Sequence, residues 1–328
     1  MAFRLHWALS MIQTAPLQCS QGSTLRTSVG FSNHPNARQA ALQAADVART
    51  GLGEATPQLA LLVTAGPRSI DPTSAVREVL GPIGIAGGAA SALLTERGPM
   101  ADGTLVVAIA VEGDAASGVA SAKARDLTEA GRASARIMMA GWPFRLRYPR
   151  GLAIGFTAPV PGSSVLGFLE AWRQFMGPKM RTVCGVLPHS TVYGASTPGS
   201  VASVASLEAP YATGLGYAEG FVPGEPQPDA RMLIQGTADA VNTALKRLDE
   251  HSARLVLVLE TASRREALGA AAADEWARVQ HEVGDEAPCV GWVCEHVAGY
   301  GRGIQPADTA GALVVAAIGD PPSSRIVA

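Results

Sequence analysis

Three short apolar stretches decide the fold: QLALLVTA at residues 58–65, GLAIGFTA at 151–158 and RLVLVLETA at 254–262. Each is nearly continuous and rich in Leu, Val or Ile, which is typical of a β-strand covered on both faces. Each ends in the dipeptide Thr-Ala and is followed by a loop. The strand-end threonines are Thr64, Thr157 and Thr261. The sequence therefore predicts one structural unit that occurs three times.

The segments around these strands repeat as well. Helices are predicted before the strands at residues 36–48, 116–139 and 237–251. Helices are also predicted after them, starting at Asp71-Pro72 and covering residues 163–175 and 265–283. Glycine-bearing second strands follow at 83–88, 182–185 and 289–293, with closing apolar strands at 105–111 and 311–319. The unit reads helix–strand–helix–strand–strand, which indicates an α/β fold with mixed sheets.

Composition excludes several classes of protein. Of the 328 residues, 47 % are apolar and 16 % are charged, and the net charge is −2. A chain without a basic stripe is not a dedicated nucleic-acid binder. Four cysteines do not make a disulfide scaffold and suit a reducing compartment. The longest apolar segment, residues 79–94, is too short and too rich in glycine to span a membrane.

The two ends of the chain differ in character. Residues 1–24 are predicted to be a leader or targeting segment, because the chain has no acidic residue before Asp46, as in organelle transit peptides. The alternatives are a frayed N-terminus or a first strand from Leu25 to Phe31. We therefore expect an intracellular protein, cytoplasmic or organellar. The segment PGEPQP at 223–228 is a linker by composition. It predicts one domain at residues 25–222 and a second at 223–328.

Candidate ligand-binding residues lie at the predicted carboxyl ends of strands, where α/β sheets bind ligands. Counting four residues past each strand glycine gives Ser91, His189 and Glu295. Arg264 and Arg265 leave the neighbouring strand end, beside the threonines named above. A guanidinium binds a carboxylate and a carboxylate binds an ammonium, so this set suits an amino acid. The alternative is that Glu295 and an arginine only pair with each other.

Metal, haem and nucleophile signals are weak. The spacing of Cys289, Cys294 and His296 matches no common zinc site, and a strand over 289–293 would put the two cysteines on opposite faces. There is no haem attachment motif, and His189 or His296 would be the axial ligand of a haem protein. An enzyme would use His189 as a base and Ser91 or a cysteine as nucleophile. We predict no metal and no cofactor.

The three units together resemble the FIST family. The resemblance rests on PQLALLVTAG, IGIAGGAASA and TLVVAIA in the first unit, TVCG in the second, and LVLVLETASRREALG, PCVGWVCEH and GALVVAAIGD in the third. It covers residues 25–320, although the family's Gly-Glu pair is Cys294-Glu295 here. It implies an N-terminal and a C-terminal FIST domain in a small-ligand-binding sensory module for amino acids or their derivatives. Some relatives bind haem and others join an F-box.

The sequence thus predicts a sensory or signal-transduction protein that binds a small molecule between two domains. Any output would pass through a signalling partner or oligomerisation. The rival functions are a haem-binding sensor, an enzyme, and an adaptor that binds only proteins. A cleft with acid–base groups in contact would favour the enzyme, a Soret band the haem protein, and an exposed apolar patch the adaptor.

Overall fold

A computed structural model describes residues 25–67, 71–111, 117–140, 151–194, 199–208, 211–221, 228–249, 251–285, 287–301, 304 and 310–320. The predicted leader at residues 1–24 and residues 222–227 of the linker segment lie outside this range. The fold is α/β, as predicted, and its strands form three mixed sheets with helices on their outer faces.

Each unit begins with a strand and a helix, continues with a parallel strand pair joined by a helix, and ends with a crossing strand and a return strand. The first unit is β1 (Leu25–Ser32), α1 (Ala37–Gly51), β2 (Leu59–Ala65), α2 (Thr73–Leu80), β3 (Gly84–Ala90), β4 (Ala92–Thr95), β5 (Gly98–Met100) and β6 (Gly103–Val111). The second is β7 (Ser117–Ala122), α3 (Leu127–Ala140), β8 (Gly151–Thr157), α4 (Val165–Met176), β9 (Met180–Val186), β10 (Val192–Tyr193) and β11 (Ala202–Glu208). The third is β12 (Ala212–Ala218), α5 (Ala230–Lys246), β13 (Ala253–Thr261), α6 (Ala262–Leu268), α7 (Ala272–Val283), β14 (Cys289–Cys294), β15 (His296–Tyr300) and β16 (Leu313–Gly319).

The three sheets share one topology. Their strand orders are β1-β6-β2-β3-β10, β15-β9-β8-β11-β7 and β12-β16-β13-β14-β4-β5. In each, the predicted apolar strand pairs in parallel with the glycine-bearing strand and antiparallel with the return strand. Strand β11 is the return strand of the second unit, which has no clear counterpart in the sequence pattern. The threefold repeat is therefore a feature of the structure.

Each unit contributes to the sheet of another unit: the first contributes two adjacent strands, and the other two contribute one strand each. Strand β4 of the first unit pairs with β14, β15 of the third pairs with β9, and β10 of the second pairs with β3. This exchange closes a ring of three. The third sheet consequently contains strands from both sides of residue 223, where the boundary between two domains is predicted.

The predicted apolar strands β2, β8 and β13 are buried on both faces, which explains their nearly continuous apolar sequence. In β2, Leu61 and Val63 belong to a cluster that contains residues of all three sheets. Their neighbour Leu62 belongs to a different cluster, beneath α1 and α2. The main core thus lies where the three sheets face one another, and smaller cores lie under the helices.

Several predicted elements differ from the observed ones. The helix predicted over 116–139 is instead the strand β7 followed by α3, because small residues at 117–122 fit a strand edge as well as a helix. The helix predicted at 237–251 starts at Ala230, where Asp229 accepts a hydrogen bond from the Arg231 amide. The helix predicted over 265–283 is interrupted at Gly269, whose φ is 52°. None of the helices in the described residues has the length and apolar character needed to cross a lipid bilayer.

Glu208 gives the fold a pH dependence. Burial at the end of β11 raises the pKa of its carboxyl from 4.5 to about 7. Between these values the folded state keeps a proton that the unfolded state has lost, so the free energy of unfolding falls as pH rises. We expect Glu208→Gln to be more stable relative to the wild type at pH 8 than at pH 5, as measured by urea unfolding. Glu170→Gln, at an exposed position of α4, is the control; an equal pH effect in both variants would contradict the assignment.

Candidate functional site

The chain passes from sheet to sheet at the carboxyl ends of β3, β9 and β14. Backbone hydrogen bonds join these crossings. The Ser91 amide donates to the Val293 carbonyl over 2.9 Å, and the Glu295 amide donates to the Val186 carbonyl over 2.8 Å. At the third crossing the Ala89 amide donates to the Thr191 carbonyl over 3.2 Å. The strand ends that were predicted to carry the site therefore meet through direct backbone contacts.

The pairing of the strands shows that Ser91, His189 and Glu295 are not all at equivalent positions of the three units. The residue pairs at corresponding places in the parallel strands are Thr64–Ala89, Thr157–Val186 and Glu260–Val293. Two residues further along the second strand lie Ser91, Pro188 and Glu295. His189 is thus one residue beyond the counterpart of the other two. Counting four residues from a glycine failed in the second unit because it started from Gly185. The residue of that unit at the position of Gly87 and Gly291 is Cys184.

The side chains of Ser91, His189 and Glu295 are exposed. Ser91 lies in the bend between β3 and β4, and Glu295 lies in the bend between β14 and β15. Within the described part of the chain, no hydrogen bond joins the side chains of Ser91 and His189. The structure therefore brings two of the three residues to bonded strand ends, at the surface, but does not form the serine–histidine pair that an enzyme of the predicted kind would use.

The three strand-end threonines bond to the protein itself. The Thr64 hydroxyl lies 2.7 Å from the Tyr193 hydroxyl, and the Thr157 hydroxyl donates to the Gly185 carbonyl over 3.4 Å. The Thr261 hydroxyl donates to the Ala312 carbonyl over 3.1 Å. These buried hydroxyls hold the strand ends in place.

Arg264 lies in the interior and is fully buried. Its Nε donates to Glu275 Oε1 over 2.9 Å and its Nη1 to the Gly311 carbonyl over 2.7 Å. Its Nη2 donates to the Leu233 carbonyl over 2.6 Å and to the Thr237 hydroxyl over 2.8 Å. Every guanidinium nitrogen is occupied, so Arg264 fastens α5, α6 and α7 to the start of β16. Its observed partner is Glu275, whereas the alternative considered from the sequence paired an arginine with Glu295.

Arg265 forms the pair that borders solvent. Its Nη2 lies 2.8 Å from Glu260 Oε2, and the two side chains are 22 % and 1 % exposed. Two atoms of this pair are buried without a hydrogen-bond partner among the described residues: the second carboxylate oxygen, Glu260 Oε1, and the guanidinium Nε of Arg265. Buried polar atoms are nearly always satisfied, so such a pair indicates a place for a ligand or water.

Glu260 is the residue that the sequence correspondence missed. The register above places it opposite Val293, where the other units have Thr64 and Thr157. In the third unit, the Thr-Ala dipeptide therefore lies one residue further along the strand than in the other two units. The available signal was an acidic residue inside an otherwise apolar strand, because a strand covered on both faces must bury that acid.

Burial sets the protonation of Glu260. Desolvation raises the pKa of its carboxyl to about 7, and the attraction of Arg265 opposes this rise. The charge of nearby Glu275 raises the pKa further. Burial thus favours the neutral carboxyl of Glu260, whereas the neighbouring Arg265 favours the charged carboxylate.

Burial disfavours the reactive form of three cysteines. Burial raises the pKa of Cys184 and of Cys289 to about 12, and it also raises the pKa of Cys294. A thiol reacts as the thiolate, which these environments disfavour. Cys289 and Cys294 belong to different clusters on opposite faces of β14, as the alternation of a strand requires.

Comparisons with known proteins do not extend these observations to a function. No family model matches the sequence, and no curated protein matches it. A cyanuric acid hydrolase structure is 11 % identical with a TM-score of 0.49, covering 89 % of this chain and 99 % of that one. The cyanuric acid hydrolase of A. caulinodans is 12 % identical, with the same coverage and a TM-score of 0.43. Phosphoribosylformylglycinamidine synthase II of Thermotoga maritima is 11 % identical with a TM-score of 0.30, covering 93 % of this chain and 73 % of that one. Similarities this low carry no information about activity or ligand.

Proposed function

We propose that this protein binds a small polar molecule at the carboxyl ends of β13 and β14 and acts as a sensory or signal-transduction module. The observation that carries the proposal is the Glu260–Arg265 pair, which borders solvent and has one buried acceptor and one buried donor without a partner among the described residues. The sequence resemblance to the FIST family supports the sensory role.

The pair supplies what a selective site for a polar ligand needs. Hydrogen bonds to charged groups contribute roughly 1.5–3 kcal/mol each, and the unused atoms have no competing partner in the described structure. Glu295 follows the end of β14, and its carboxylate is exposed. Its charge would suit a cationic part of a ligand, such as the ammonium of an amino acid derivative.

A binding screen tests the proposal. We expect saturable binding of at least one amino acid or derivative, by thermal shift and then titration calorimetry. A ligand at 100 times its Kd should raise the free energy of unfolding by about 2.7 kcal/mol. Arg265→Ala should weaken binding at least tenfold, because it removes the unused donor, and Glu295→Ala should weaken it less.

The matched control is Arg77→Ala. Arg77 is exposed on α2, the helix that joins the parallel strands β2 and β3 of the first unit. This variant should bind as the wild type does. Equal affinity in the Arg265 and Arg77 variants would remove the Glu260–Arg265 pair from the binding site and refute the proposal.

An enzyme is the second candidate, and one observation favours it. The Glu260 carboxyl has a pKa of about 7, which suits general acid–base catalysis at neutral pH. Incubating each bound ligand with protein and following it by mass spectrometry separates the two functions, since a sensor returns its ligand unchanged. The haem alternative has exposed His189 and His296 as its candidates; a Soret band in the purified protein decides that question.

A further inference from the structure

The unused atoms of the Glu260–Arg265 pair differ in kind. Glu260 Oε1 accepts hydrogen bonds, and Arg265 Nε donates one. The other contact of the pair, Arg265 Nη2 to Glu260 Oε2 over 2.8 Å, fixes the two groups beside each other. Nε shares a carbon with Nη2, and Oε1 shares a carbon with Oε2, so the buried donor and the buried acceptor belong to two groups in direct contact. The opposite charges of the two side chains offset each other.

We propose that this site selects an uncharged carboxamide-type group, whose carbonyl oxygen accepts from Arg265 Nε and whose N–H donates to Glu260 Oε1. The inference rests on the proposed function, because it names the ligand class of the same site. A planar amide carries a donor and an acceptor on adjacent atoms, so one group satisfies both buried atoms. It brings no net charge into a place where charge is already balanced.

Charged groups of similar shape fit less well for specific reasons. A carboxylate has two acceptors and would place one of them against Glu260 Oε1, which adds repulsion between two oxygens. An ammonium has donors only and would place one of them against the Arg265 guanidinium. A site rejects an analogue strongly when its own buried polar atom is left unpaired.

Three compounds with the same ring test the inference: benzamide, benzoate and benzylammonium. Their Kd values are to be measured by ligand-observed NMR at about pH 8.5, above the pKa of about 7 for Glu260. For the wild type, we expect the Kd of benzamide to be at least tenfold lower than those of the two ions. Equal or tighter binding of benzoate or benzylammonium would overturn the ligand class while leaving a binding site in place. Binding of none of the three would refute the proposed site itself, and this inference with it.

The variant Glu260→Gln should reverse the preference. The Gln oxygen keeps the contact with Arg265 Nη2, since a guanidinium accepts no hydrogen bond. Its NH2 then points where Oε1 pointed, so the site presents two donors. Benzoate should bind this variant at least tenfold more tightly than benzamide.

The control is Glu208→Gln, which removes a buried carboxylate at the end of β11. It should keep the wild-type preference for benzamide. If Glu260→Gln also keeps that preference, the donor–acceptor assignment is wrong. Should the Glu260 variant fail to fold, the three-compound comparison on the wild type still decides the inference.

Discussion

Replacing Arg264 with Ala should lower the free energy of unfolding by roughly 3–5 kcal/mol, because it breaks a buried ion pair and leaves the other charge unpaired. The Arg264 and Glu275 side chains are 0 % and 3 % exposed. Removal of the guanidinium also takes the donors from the carbonyls of Leu233 and Gly311. Urea unfolding followed by circular dichroism measures the loss.

Two further variants separate charge from geometry. Arg264→Lys keeps the charge but cannot reach four acceptors from one planar fork, so it should recover only part of the loss. Arg38→Ala removes an ion pair with Glu78 whose side chains are 50 % and 56 % exposed, and it should change stability by less than about 1 kcal/mol. A loss for Arg264→Ala as small as that for Arg38→Ala would show that Arg264 does not hold α5, α6 and α7 to the start of β16.

The threefold repeat could be predicted because burial of a strand determines which residue types it contains. Strands covered on both faces are mostly apolar, as they are at residues 59–65, 151–157 and 255–259. The α/β class follows from such strands alternating with helices. The edge strands β7 and β12 have no continuous apolar sequence, and their small residues and glycines suit several local structures.

The exchange of strands between units could not be read from the sequence. Nothing local distinguishes Ala92–Thr95 pairing within its own unit from Ala92–Thr95 pairing with β14, because the choice depends on how three sheets meet. The one-residue offset of the third run has the same origin. Only the pairing of Glu260 with Val293 shows that Glu260, and not Thr261, corresponds to Thr64.

The sequence predicted that Ser91 and Glu295 follow strand ends, but it did not predict the pairing of Glu260 with Arg265. The carboxyl strand ends were expected to carry the site, and Glu295 and Ser91 do lie there. Arginines adjacent in sequence point in different directions on a helix, so no pattern could tell that Arg264 would be fully buried while Arg265 keeps 22 % of its side chain exposed. The acid inside β13 was the better signal, since a buried carboxylate needs a charged partner.

The contact between sheets also depends on a few large side chains. Trp292 of β14 and Phe156 of β8 stack with ring centroids 5.1 Å apart and an interplanar angle of 25°. Both are 0 % exposed and belong to the core cluster that contains residues of all three sheets. They join the inner face of the third sheet to that of the second, so the packing of two sheets depends on them.

Trp292→Ala should therefore cost roughly 3–5 kcal/mol in the free energy of unfolding, from lost apolar burial and from the cavity left behind. Trp292→Phe keeps a stacking ring and should cost less. Met232→Ala removes a side chain that is 68 % exposed on α5, and it should stay within about 0.5 kcal/mol of the wild type. Chemical unfolding of the three variants under one set of conditions measures these differences. If the Trp292 variant were as stable as the Met232 variant, the packing of the second sheet on the third would not depend on the Trp292–Phe156 contact.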